Sequence, residues 1–181
     1  MSFDLDFSIE VLSRTPAALE ALLGGLSDRW LDADEGPETF SSRDVVGHLI
    51  FGEETDWVPR IRLILSTGEE VPFEPFDRFG FRKEIEGRSM ADLLAELARL
   101  RDENLLYLRS LALTPKDLAR KGRHPALGPV TLDQLIASWV VHDLGHIRQI
   151  VRVVAHQYEE AVGPWKEYLS ILDRPRAPES R

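Results

Sequence analysis

TLDQLIASWVVHDLGHIRQIVRVVAHQY, residues 131–158, carries the clearest structural signal in the chain. Leu135, Ile136, Trp139, Val140, Ile147, Ile150, Val151 and Val154 recur at spacings of three and four, the period of an amphipathic helix. Thr131 and Gln134 stand in front of them at capping-box spacing, where the two side chains satisfy each other's first-turn amides. The stretch predicts a long helix reaching to about Tyr158.

Working toward the N-terminus, the same period appears three more times. Ser89 and Asp92 open a helix whose face carries Leu93, Leu94, Leu97, Leu100, Leu105, Leu108 and Leu111, ending before Thr114-Pro115. Ser41 and Asp44 repeat the capping spacing ahead of Val45, Leu49, Trp57, Ile61 and Leu65. Pro59 lies inside that run and removes a backbone donor, so the helix should bend or be interrupted there, with a kink near Val58. Thr15-Pro16 reads as an N-cap with Pro at the first helical position, followed by Leu19, Leu22, Leu23 and Leu26 toward Trp30. Ile9 and Leu12 either extend this helix backward or form a short one before it.

The connections are long. Residues 67–88 hold Gly68, Pro72, Pro75, Gly80 and Gly87 together with Phe73, Phe76, Phe79 and Phe81, and those rings either cap the bundle or line an entrance. Thr114-Pro115 caps a short turn through Leu118, and GRHPALGPV, 122–130, reads as an extended loop. From Gly163 onward, Trp165, Tyr168 and Leu169 suggest a short C-terminal helix packed on the bundle, with 173–181 a frayed tail. The fold class is therefore all-α, a four-helix bundle with long connections in one domain over 1–181.

Composition narrows the function. The 31 acidic residues against 22 basic ones leave a formal charge of −9, which opposes phosphate tracking on nucleic acid. There is no cysteine, so disulfides, thiolate metal sites and cysteine nucleophiles are excluded. The N-terminus lacks a basic and an apolar targeting region, and no run reaches the length of a membrane span, so a cytoplasmic location without membrane partners is expected.

Metal chemistry would fall to histidine and carboxylate. His142 and His146 are four apart in a helix, about 40° apart around its axis and about 6 Å along it, so both can point at one ion. Such a pair also arises in helices without ligation. His48, between Val45 and Leu49, faces the interior, and three buried imidazoles need partners that an ion would supply. Gly47, Gly52 and Gly145 flank these histidines, leaving either volume beside an ion or room for close helix approach. Asp143 reads as a salt-bridge residue in preference to one that orients a ligand; Gln149 as outer contact or surface; Glu53 and Glu54 as a solvated face; His124 as a loop-fixing residue; His156 as surface.

The stretches SSRDVVGHLIFGEETDWVPRI, 41–61, and HPALGPVTLDQLIASWVVHDLGHIRQI, 124–150, resemble the DinB/YfiT-like superfamily. That resemblance implies a four-helix bundle with a three-histidine metal site, for which His48, His142 and His146 occupy the expected ligand positions. It implies nickel or zinc as the divalent ion and a small-molecule substrate. Related activities are metal-dependent hydrolysis and chemistry using a low-molecular-weight thiol, such as mycothiol-dependent maleylpyruvate isomerase and bacillithiol transferase. A hydrolase or a thiol S-transferase is thus the leading reading. A non-catalytic metal- or ligand-binding module and a metal-free helical interaction protein are the alternatives, and pairing into a homodimer through an exposed apolar face is a further expectation.

Overall fold

The computed structural model describes residues 3–173. Two short helices, α1 (Leu5–Leu12) and α2 (Thr15–Leu23), form the first rod, and α3 (Asp28–Leu31) follows. The second rod is α4 (Ser42–Thr55) continued by α5 (Trp57–Ser66). After α6 (Arg82–Ile85), α7 (Met90–Ser110) makes the third rod; α8 (Pro115–Leu118) and a hairpin lead to α9 (Leu132–His156), the fourth. The first rod packs against α7 and α9, and the second rod packs against the same two, which is a four-helix bundle. No helix among the described residues is long and apolar enough to cross a membrane.

Local chemistry sets the helix starts. Ser41 and Asp44 form a reciprocal capping box, Ser89 accepts from the Asp92 amide, and the Thr131 amide donates to Gln134 Oε1 at 3.0 Å. Thr15 lies inside α2 with Arg14 as the flanking residue, one position from the expected cap, and is buried. Ile9 and Leu12 belong to the separate helix α1.

The expected kink or interruption falls at Asp56, the residue between α4 and α5, whose backbone is distorted within the right-handed helical region (φ −112°, ψ −67°). The proline ring opposes the carbonyl four residues earlier, that of Thr55, while in the first turn of a new helix its missing N–H costs nothing. Pro59 therefore starts α5 instead of bending a continuous helix.

The stretch read as an extended loop is an antiparallel hairpin, β1 (Lys121–His124) paired with β2 (Gly128–Thr131). Gly128, at φ +73°, supplies the left-handed residue that closes its three-residue turn. The Phe73 amide donates to the Arg123 carbonyl at 2.9 Å, tying the phenylalanine-rich connection to this hairpin. Gly122 has no room for a side chain: a Cβ there would lie 2.6 Å from Ile64 and 2.7 Å from Phe73. At the C-terminus the expected short helical segment is two 3-10 helices, Gly163–Tyr168 and Ser170–Leu172, the second packed on α9. Leu172 is buried there, whereas Trp165 and Tyr168 are exposed. The tail beyond Asp173 lies outside the described residues.

Two apolar clusters make the core. One gathers Leu19, Val45, Leu49, Phe81, Leu97 and Ile150; the other gathers Leu12, Trp57, Ile61, Leu105, Ile136 and Trp139. On each rod a polar residue stands between its contributions to the two: Thr15, Glu53, Arg101 and Asp143, all buried. The core is thus divided by a polar layer.

Candidate metal centre

His142 and His146 project from successive turns of α9, and His48 meets them from α4, which packs alongside. His48 Nε2 is 3.2 Å from His142 Nε2, and His146 Nε2 is 3.1 Å from the same atom. One ligand atom from each of the three rings lies within 4.8 Å of the others. Gln149 Oε1 sits 2.9 Å from His146 Nδ1, which places that ring's proton on Nδ1 and turns the Nε2 lone pair inward. Trp57 packs edge-on to His142 at 5.2 Å and Phe76 edge-on to His48 at 5.3 Å, fixing the ring planes.

Burial, followed by the neighbouring imidazoles, pushes His48 down to about 3; burial and His142 push His146 down to about 4. Both rings are neutral at pH 7, the form that binds metals. Three imidazole nitrogens turned toward one another make a donor set for a cation. A divalent cation fits them. At a metal–nitrogen distance of about 2.0–2.1 Å, adjacent nitrogens lie about 3.4 Å apart around a tetrahedral ion and about 3.0 Å apart around an octahedral one. The two observed separations fall between these values.

A cavity of about 400 Å³ opens beside the cluster, with His48 and His142 in its wall together with Asp56, Trp57, Arg60, Phe76 and His124. Asp56 is held by Arg60 at 2.7 Å, and the Arg60 guanidinium lies over the Phe73 ring at 5.1 Å. Burial raises the Asp56 carboxyl above its ordinary value and lowers Arg60 below its own. A second cavity, about 340 Å³, shares Asp56, Trp57, Arg60 and His124 and continues toward Val130 and Leu135. A further apolar groove between α1 and α9 shares no residue with the histidine cluster.

His124 fixes its loop as expected: Nδ1 accepts from the amides of Ala126 and Leu127, each at 3.2 Å. The same residue also faces the cavity. His156 pairs with Glu159 and is no part of the cluster. The phenylalanines divide their roles: Phe73 and Phe81 are core, Phe79 is exposed, and Phe76 lines the cavity. Gly47 serves close packing, since a Cβ would lie 2.5 Å from Ile85; Gly52 borders the cavity.

Glu53 is the main correction. Read as solvent-facing, it is 2% exposed, and its Oε1 accepts from Arg101 Nη2 at 2.6 Å and Nε at 3.0 Å. Trp139 Nε1 donates to the same oxygen at 3.2 Å and Asn104 donates to Oε2 at 2.9 Å. Burial pushes the Glu53 carboxyl up, but each of these neighbours is a donor, which suits an ionised group. Arg101, wholly buried, also donates to Asp143 Oδ2 at 2.6 Å and the Leu12 carbonyl at 2.8 Å. The sequence signal was present. Val45, Leu49, Glu53 and Trp57 follow at steps of four, as do Leu97, Arg101 and Leu105, so both charges sit on buried stripes.

A helical bundle that brings three histidines from two rods to one point, beside a largely apolar cavity, presents a donor set of the kind that holds a cation. The family model described as the DinB superfamily matches residues 12–150, and the chain belongs to that superfamily. YfiT from Bacillus subtilis, described as "a probable metal-dependent hydrolase with an unusual four-helix bundle topology", is similar at 27% identity and a TM-score of 0.72. That match covers 84% of this chain and 86% of the YfiT chain. TT2238, described as a four-helix bundle protein, shares the fold at 20% identity and a TM-score of 0.57, over 82% of this chain and 98% of its own. No curated protein matches the chain.

Proposed function

We propose that this protein is a metal-dependent hydrolase of small molecules, with His48, His142 and His146 holding a divalent ion, zinc or nickel. The observation that carries the reading is the convergence of His48 Nε2 and His146 Nε2 on His142 Nε2, at 3.2 and 3.1 Å, from two separate rods. The description of the similar YfiT structure supports the hydrolytic assignment. An ion on three imidazoles keeps positions free for water and lowers that water's pKa toward neutrality.

The chain supplies the rest. Asp56 is the one carboxylate lining the cavity next to His48 and His142 among the described residues, and its raised pKa suits it to take a proton from an attacking water. Arg60 orients that carboxylate through the 2.7 Å contact. The proton then returns to the leaving group as the scissile bond breaks. Trp57, Phe76 and Pro125 give the cavity apolar walls, favouring a substrate with an apolar body and a volume below about 400 Å³.

Hydrolysis of a panel of p-nitrophenyl esters tests the proposal, with the protein loaded with zinc or nickel, stripped by a chelator, and assayed with and without a small thiol. Turnover that needs the metal but not the thiol supports it. Strict dependence on the thiol would move the assignment to S-transfer, and turnover indifferent to the chelator would remove the metal from the reaction.

A further inference from the structure

His142 carries the central nitrogen of the cluster, and with a cation held at Nε2 its one proton would sit on Nδ1. Among the described residues that Nδ1 is buried without a hydrogen-bond partner, and so is Asp143 Oδ1. The two atoms lie 3.9 Å apart. A formed N–H···O bond spans about 2.7–3.2 Å, so about 1 Å of side-chain movement would join them. A buried donor and a buried acceptor that lack partners each cost stability, and pairing them removes both costs. His146 already has the equivalent support from Gln149 at 2.9 Å.

The other Asp143 oxygen is anchored. Arg101 Nη1 holds Oδ2 at 2.6 Å, and Arg101 in turn is clamped by Glu53 and the Leu12 carbonyl. Two carboxylates thus surround one guanidinium in the polar layer, and Asp143 is the one of them adjacent to His142.

We propose that Asp143 is a positioning residue for the metal centre: held by Arg101, it accepts from His142 Nδ1 and fixes that ring's tautomer and plane. The inference rests on the three-histidine reading above. It also gives the Glu53–Arg101–Asp143 network a role beyond joining three rods, since it links the helix of His48 to that of His142 and His146.

Zinc alone is the probe. Competition with a chromophoric chelator measures its affinity for the wild type, Asp143→Asn and Asp143→Ala, while the His142 ring resonances report the Nδ1 proton. Loss of an outer-shell partner typically weakens metal affinity about 10- to 100-fold, and that loss is expected in both variants, larger for Ala, with a shifted His142 Nδ1 proton. Folded variants with wild-type zinc affinity and an unmoved His142 resonance would overturn the role of Asp143 while leaving the three-histidine site intact. A wild type that binds no zinc or nickel would overturn both. If Asp143→Ala does not fold, the isosteric Asn variant decides.

Discussion

His48 Nε2 and His142 Nε2 lie 3.2 Å apart, although 94 residues separate them in the chain. Nothing in the backbone demands that approach. It is set by the packing of α4 on α9, by the Phe76 edge against His48 and by the Trp57 edge against His142.

Because the two most buried rings titrate far below their ordinary value, the metal-free protein should lose stability in acid. His48 is pushed down to about 3 and His146 to about 4 in the fold, whereas unfolded histidine titrates near about 6.5. Between these values the unfolded chain binds more protons, so stability rises with pH: it is complete above about 6.5 and declines as the pH falls toward 4. Urea denaturation of the apo-protein at steps from pH 7.5 to 4.5 measures this. The decline should be shallower in His48→Ala, and a flat wild-type profile would contradict the burial of neutral imidazoles.

Removing the guanidinium from the polar layer should be costly. Arg101→Met leaves Glu53 and Asp143 buried without their shared cation, and breaking such a pair costs about 3–5 kcal/mol. Chemical denaturation provides the comparison. A change under about 1 kcal/mol, the range of an exposed pair, would mean the network contributes little.

The four rods were legible in the sequence because each repeats apolar residues at three and four, and three of them start at the caps that were read, Ser41/Asp44, Ser89/Asp92 and Thr131/Gln134. The histidine cluster was legible for a different reason: His142 and His146 share one helix face, and His48 lies on a buried stripe. Charges buried within such stripes were harder to see. Glu53 and Arg101 occupy stripe positions, but their residue types argue for solvent, and only the pairing across rods offsets their desolvation. The hairpin was missed because its two strands have four residues each and contain Gly122, Gly128 and Pro129, which favour turns over strands.

Asp56→Asn should separate chemistry from binding. Asparagine keeps the shape of the side chain beside Arg60 but cannot accept a proton, so the zinc content should stay at the wild-type level. Turnover of an ester that the wild type hydrolyses should fall about 10²- to 10⁴-fold, the range for a lost general base. Paired metal analysis and kinetics on one preparation check this, and undiminished turnover would take Asp56 out of the reaction.

Elemental analysis of protein purified without a histidine tag reads the ion itself. The wild type should carry about one equivalent of a divalent transition metal, close to the capacity of a single three-histidine site, and His48→Ala, His142→Ala and His146→Ala, each still helical by circular dichroism, should carry almost none. A wild type that remains metal-free after exposure to zinc and nickel, or three variants that retain the metal, would contradict the assignment.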